Sequence, residues 1–88
     1  WDAQEVDLWE INEAFAMVTM LAIDAFKLDP AKVNVNGGAC ALGHPLGSSG
    51  SRIIVSLIHA LKRTGGKKGI AALCIGGGEA TAIAVELI

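Results

Sequence analysis

Residues 34–50 read NVNGGACALGHPLGSSG and place one histidine, His44, between a β-type pattern and a helical pattern. Five glycines in this stretch permit positive φ angles or close backbone approach: Gly37, Gly38, Gly43, Gly47 and Gly50. Pro45 biases His44 toward an extended backbone conformation. The segment is therefore expected to hold a side chain in a defined place rather than to fill a core.

The chain on either side of this segment predicts alternating strands and helices. The predicted elements are a strand within 5–11, a helix from Asn12 to Asp29, a strand over 32–36, a helix over 52–63, a buried strand over 69–75 and a last strand over 81–88. Asn12 is the expected N-cap of the first helix, with Glu13 in its first turn. That helix is apolar around most of its circumference, which predicts burial on two sides.

The predicted order βαβαββ indicates an α/β fold with helices on the faces of the sheet. Helical crossovers favour parallel pairing, and a closing hairpin around Gly76, Gly77 and Gly78 makes the sheet mixed. In such sheets, chemistry collects beyond the carboxyl ends of the parallel strands. Asn12, the His44 segment and Cys74 are expected to converge at that edge.

Composition narrows the class of protein. The chain has 88 residues, of which 52% are hydrophobic and 18% charged, with a mean hydropathy of +0.50. An apolar share this high in a chain that begins at Trp1 predicts a C-terminal piece of a larger protein, whose other part covers some apolar faces. The net charge of −2 and the scattered basic residues exclude an electrostatic nucleic-acid footprint.

No apolar run reaches the length of a membrane span, so no membrane partner is expected. Two cysteines without a short C-x-x-C spacing fit a reducing compartment, which predicts a cytoplasmic protein, or a mitochondrial or peroxisomal one in a eukaryote.

Two side chains are candidates for proton transfer. His44 can act as an acid or a base near neutrality, although a loop histidine can also be purely structural. Cys74 precedes three glycines whose N–H groups could cradle an oxyanion beside a thiol, although a free cysteine is often a small core residue. Cys40 is expected to be a packing residue, and His59 a surface or boundary residue.

Two further kinds of site fit the pattern poorly. Zinc could be held by Cys40, His44 and Cys74, but this set supplies only three ligands at a spacing unlike that of common zinc sites. The segment over 43–50 resembles a phosphate cradle but lacks the G-K-[ST] of a P-loop, which argues against a pure nucleotide-binding module.

Three stretches carry a family resemblance: NEAFA (12–16), NGGACALGHPLGSSG (36–50) and CIGGGEATA (74–82). In order and spacing they resemble the C-terminal catalytic motifs of the thiolases, specifically the acetyl-CoA acetyltransferase type, and the resemblance covers essentially the whole chain. It implies a thiolase-like fold in which residues 1–88 form part of the C-terminal domain. The first strand and helix of that domain and the whole N-terminal half would then be absent.

The resemblance also implies an activity and its residues. The enzyme would join two acetyl-CoA molecules, or cleave acetoacetyl-CoA with CoA, through an acyl-cysteine on a nucleophile in the N-terminal half. His44 would take the proton of that nucleophile, and Cys74 would move the proton of the methyl carbon of the second acetyl-CoA. Asn12 would hold a water in the first oxyanion site, the N–H of Gly76 would contribute to the second, and Phe15 would line the pantetheine channel.

The same resemblance sets expectations for partners. It implies acetyl-CoA, acetoacetyl-CoA and CoA as substrates, no further cofactor and no metal, and a homodimer or homotetramer. The fragment alone would be inactive. Three alternatives stay open: a 3-ketoacyl-CoA thiolase of broader chain length, a non-catalytic thiolase-like CoA-binding module, and a ligand-binding or interaction domain in which His44 and Cys74 are structural. Asn12 in NEAFA favours the ordinary catalytic class.

Overall fold

The computed structural model describes all 88 residues and contains one three-stranded sheet in the order β1-β2-β3. The strands are β1 (Leu8–Ile11), β2 (Lys68–Ile75) and β3 (Glu79–Glu86), and the helices are α1 (Ala16–Phe26), α2 (Ala39–Leu42) and α3 (Ser49–Thr64). Short 3₁₀ turns cover Ala3–Glu5 and Pro30–Lys32. β1 and β2 pair in parallel, whereas β2 and β3 pair antiparallel. The α/β class and the mixed sheet are therefore confirmed. No helix is both long enough and apolar enough to cross a membrane.

Alternation along β1 assigns its side chains to two different cores. Leu8 packs with α3 residues Ile53, Leu57 and Leu61, whereas Ile11 packs with Leu28 and Val33 and against part of α1. Because successive strand side chains point to opposite faces, α3 and α1 lie on opposite sides of the sheet.

Close packing of α3 on β2 depends on a glycine. Gly69 faces Leu57, and a Cβ atom built at Gly69 would lie 2.8 Å from Leu57 Cδ1. Leu57 is fully buried, so this contact fixes the spacing of helix and sheet. α3 ends as predicted, with Gly65 in the left-handed region at φ 79°.

The predicted strand over 32–36 is wrong. Val33 forms only an isolated parallel bridge with Trp9, and Asn34 turns the chain at φ 48°. The side-chain amide of Asn34 continues the pairing instead: its Oδ1 accepts the N–H of Ile11 and its Nδ2 donates to the Ile11 carbonyl, both at 2.8 Å. One side chain thus takes the place of a strand residue.

The predicted start of the first helix is also wrong. Asn12 is not an N-cap, because its side-chain oxygen accepts no backbone N–H and Phe15 holds the N-cap position; the N–H of Asn12 donates to the Ala72 carbonyl at 2.9 Å and extends the β1 ladder. The helix begins only at Ala16, after Phe15 in an extended conformation. Glu13 consequently lies outside the first turn.

Burial of α1 on two sides is not observed within this chain. Only Thr19 of α1 is buried, while Met17, Met20, Leu21 and Phe26 are exposed. The inner side packs through Val18, Ala22 and Ile23, and Phe26 stacks on Trp9 with ring centroids 6.5 Å apart.

Burial of the predicted inner strand is incomplete as well. Gly69 and Ala71 of β2 are buried, but Cys74 and Ile75 at its end are exposed. The strand therefore runs out of the core and carries its last residues to the surface where the glycine turn begins.

Candidate functional site

The His44 segment is more ordered than its glycine content suggests. It contains α2, a four-residue helix that the sequence pattern did not predict, and Gly43 ends this helix at φ 95°. Glu13 Oε1 accepts the backbone N–H of Cys40 at 3.3 Å, which links the segment to the chain after β1. His44 therefore follows directly from a short folded turn.

The imidazole of His44 contacts the start of α3. Its Nδ1 lies 2.5 Å from Oγ of Ser49, the fully buried first residue of that helix. The carbonyl of Pro45 accepts the backbone N–H groups of Ser48 and Ser49 at 2.8 and 2.9 Å, so the His44–Pro45 peptide and α3 form one unit. Nε2 has no hydrogen-bond partner within the chain and is the nitrogen free to exchange a proton.

His44, Cys74 and Gly76 line the same cleft, together with Leu46, Leu73 and Ile75. The cleft has a volume of about 380 Å³. His44 comes from the α2–α3 segment and Cys74 from the end of β2, 30 positions along the chain. The predicted meeting of a histidine, a cysteine and a glycine turn at this edge is therefore seen in the structure.

The glycine turn after Cys74 joins β2 to β3. Ile75 pairs with Glu79, so Gly76, Gly77 and Gly78 form the loop, with positive φ angles of 81° at Gly77 and 77° at Gly78. All three glycines are exposed. Backbone N–H groups in such a turn can face a developing negative charge.

Asn12 lies at the same edge but does not line the cleft. It follows β1, and the register that pairs Ile11 with Ala72 brings Asn12 level with Leu73, one residue before Cys74. Its side chain is 1% exposed, and neither the amide oxygen nor the amide nitrogen has a partner within the chain. A buried amide with both groups unpaired is well suited to hold a water.

Phe15 is 72% exposed and does not line the cleft. It precedes α1 in an extended conformation, and its ring is available for contact with another molecule or another part of a longer chain. The structure thus brings three of the five candidate residues around one cleft, places Asn12 beside it and leaves Phe15 apart.

The other reactive side chains lie away from this arrangement. Cys40 is exposed on α2, so its expected packing role is not seen in this chain, while His59 is exposed on α3 as predicted. No group of three His, Cys, Asp or Glu side chains is arranged to hold a metal ion. The zinc alternative therefore has no structural support.

The sequence analysis did not predict the buried ion pair between Glu10 and Arg52. Glu10, 1% exposed on β1, has a carboxylate oxygen 3.6 Å from Nη1 of Arg52 on α3. Burial raises the pKa of Glu10 to about 7, while the Arg52 charge opposes this rise and the Glu13 charge adds to it. An acid in phase with buried Leu8 and Asn12 is the signal that could have found it.

The arrangement is suited to proton transfer at an apolar edge. A thiol and an imidazole share a cleft whose other walls include the apolar residues Leu46, Leu73 and Ile75. The backbone N–H groups of the glycine turn, Gly76 to Gly78, come soon after Cys74 in the chain. Together these groups can remove a proton from a weak carbon acid and stabilise the oxygen that gains the charge.

Comparison with known proteins shows which family this chain is similar to. A family model described as "Thiolase, C-terminal domain" matches residues 1–87. A cytosolic acetyl-CoA acetyltransferase of Mus musculus is 57% identical over 86 residues, covering 98% of this chain and 22% of the relative. The chain therefore spans about a fifth of the length of this relative.

Solved structures similar to this chain belong to the same family. An acetyl-CoA acetyltransferase of Bacillus anthracis superposes with a TM-score of 0.93 at 53% identity, covering 98% of this chain and 22% of that one. The Acat5 thiolase of Ascaris suum, solved with coenzyme A, gives 0.91 at 53% identity over 99% of this chain and 22% of that one. A human mitochondrial 3-ketoacyl-CoA thiolase gives 0.89 at 51% identity, covering 94% and 21%. The family inferred from the three motifs is confirmed: the chain belongs to the thiolase family and matches the model of its C-terminal domain.

Proposed function

We propose that residues 1–88 work as the C-terminal catalytic segment of an acetyl-CoA C-acetyltransferase, which condenses two acetyl-CoA to acetoacetyl-CoA and CoA in a reversible reaction. The observation that carries this proposal is the cleft shared by His44, Cys74 and Gly76. The relatives named acetyl-CoA acetyltransferase and the family member solved with coenzyme A support the substrate class.

In the first half-reaction a cysteine thiol of the N-terminal half attacks the thioester carbon of acetyl-CoA. His44 Nε2 accepts the thiol proton and passes it to the departing CoA sulfur, so an acetyl-cysteine and free CoA result. The side chain of Asn12, through a bound water, stabilises the oxyanion that forms on the thioester oxygen.

In the second half-reaction Cys74, as a thiolate, removes a proton from the methyl carbon of a second acetyl-CoA. The N–H of Gly76 faces the enolate oxygen as negative charge develops there. The carbanion attacks the acetyl-cysteine carbonyl, the nucleophile leaves as a thiolate, and it regains a proton through His44 and Cys74. Phe15 contacts the pantetheine arm. No metal and no cofactor beyond the CoA thioester takes part.

The remaining apolar surface fits a larger assembly. Exposed side chains on the outer side of α1, Met17, Met20 and Leu21, would be covered by the N-terminal half of the same enzyme or by its substrate loop. The complete enzyme is proposed to be a homodimer or homotetramer and to work in a reducing compartment, the cytoplasm in the first instance. The isolated 88 residues are expected to be inactive, since they lack the nucleophile.

A 3-ketoacyl-CoA thiolase of broader chain length is the second candidate, favoured by the similarity to the human mitochondrial protein of that name. The experiment measures CoA-dependent cleavage of acetoacetyl-CoA and of a longer 3-ketoacyl-CoA by the complete protein. We expect preference for acetoacetyl-CoA and losses of at least about 100-fold in His44→Ala and Cys74→Ala. Cys40→Ala and His59→Ala are matched controls and keep the parent rate. A parent that cleaves neither substrate contradicts the proposal.

A further inference from the structure

Ser49 is a buried polar residue that touches the proposed base. It is fully buried at the first position of α3, and its Oγ lies 2.5 Å from Nδ1 of His44. The same Oγ lies 3.3 Å from the Pro45 carbonyl. A buried hydroxyl between an imidazole nitrogen and a carbonyl has its hydrogen-bond roles restricted by its neighbours.

The number of protons decides those roles. A carbonyl oxygen can only accept, so the contact with Pro45 uses the single hydrogen of the Ser49 hydroxyl. Both contacts are hydrogen bonds at the same time only when Nδ1 carries a proton and donates it to Oγ. The arrangement that makes both hydrogen bonds has the proton of the neutral imidazole on Nδ1 and a free lone pair on Nε2.

The same arrangement also suits the protonated imidazole. When Nε2 accepts a proton, Nδ1 keeps its own, and the bonds from Nδ1 to Oγ and from Oγ to Pro45 stay in place. The opposite tautomer would need the hydroxyl to leave the carbonyl and turn toward Nδ1. Keeping these bonds avoids reorganisation during proton transfer.

We infer that Ser49 is a positioning residue for the proposed reaction, which holds His44 as the Nδ1–H tautomer so that Nε2 serves as the base. This inference rests on the proposed function of His44. Ser49 itself touches no reacting atom. Ser48, its neighbour, is exposed and makes no side-chain capping bond, so Ser48→Ala is the matched control.

The test combines kinetics with ¹⁵N spectra of the complete protein labelled at histidine, with His44→Gln identifying the His44 signals. We expect the parent and Ser48→Ala to show a protonated Nδ1 and an unprotonated Nε2 when neutral. Ser49→Ala should mix the tautomers and lower kcat about tenfold or more with little change in KM, the rate equivalent of one hydrogen bond. Ser49→Cys, which nearly preserves side-chain volume, serves if the alanine variant does not fold.

The outcomes separate the two proposals. An Nε2–H tautomer in the parent, or unchanged tautomer and kcat in Ser49→Ala, overturns the role of Ser49. A parent without thiolase activity overturns the proposed function, yet the spectra still decide whether Ser49 sets the tautomer of His44.

Discussion

Replacement of Asn34 tests how the fold holds the residue that precedes Asn12. The Asn34 amide makes two bonds of 2.8 Å to the backbone of Ile11, which is 8% exposed. Losing both bonds leaves the buried N–H and carbonyl of Ile11 unpaired, and each unpaired group costs about 1 kcal/mol, the lower end of the usual range. An alanine in the left-handed region adds about 1 kcal/mol. Asn34→Ala is therefore expected to destabilise this region by about 3 kcal/mol.

Amide hydrogen exchange at Ile11 in the complete protein measures this directly, because that N–H donates to Asn34. Exchange through local opening should speed up about 150-fold in Asn34→Ala and about 30-fold in Asn34→Gly, which keeps the backbone conformation. Asn36→Ala is the control, since Asn36 accepts only an exposed bond of 2.9 Å from Arg63. Exchange at Ile11 within about threefold of the parent in Asn34→Ala would refute the reasoning.

Three further predictions concern stability of the complete protein. Because burial raises the pKa of Glu10 from 4.5 to about 7, the folded state binds the proton more tightly, so stability should fall by up to about 3 kcal/mol as pH rises through this range. Urea midpoints between pH 5 and 8 should show that slope, and Glu10→Gln should flatten it. Hydrogen bonds from the backbone N–H groups of Lys68 and Lys67 lower the pKa of Asp7, so the ionised carboxylate stabilises the folded state above pH 3.8, and this stability is lost as the pH falls through the pKa of Asp7 in the folded protein. Urea midpoints of Asp7→Asn at acid pH should lack this loss. Gly69→Ala should lower the melting temperature by the equivalent of about 1 to 3 kcal/mol, because the new Cβ meets Leu57; an unchanged midpoint would mean that α3 can shift freely.

Periodicity predicted the parts of the fold that packing decides. The stripe of α3, its end at Gly65 and the pairing of β2 with β3 follow from apolar spacing and glycine position, and all are observed. Cys74 and Gly76 lie at the cleft because β2 ends there, as predicted, whereas the strand predicted before His44 does not form and the segment between α2 and α3 carries His44 to the same cleft.

The same sequence patterns could not predict three features that depend on how distant parts of the chain meet. KVNVN alternates like a strand, but Asn34 turns the chain and pairs through its amide. Asn12 has the chemistry of an N-cap, yet its backbone extends the sheet and the helix begins only at Ala16, too far along the chain for Asn12 to cap. Ion pairing of Glu10 with Arg52 depends on how α3 lies across β1, which no local pattern encodes.

The most direct test of the account is proton exchange at the methyl carbon of acetyl-CoA in D₂O, catalysed by the complete protein. We predict that the parent and Cys40→Ala incorporate deuterium, whereas Cys74→Ala is slower by at least about 100-fold. Deuterium incorporation by Cys74→Ala at the parent rate would contradict the assignment of Cys74 as the base that forms the carbanion.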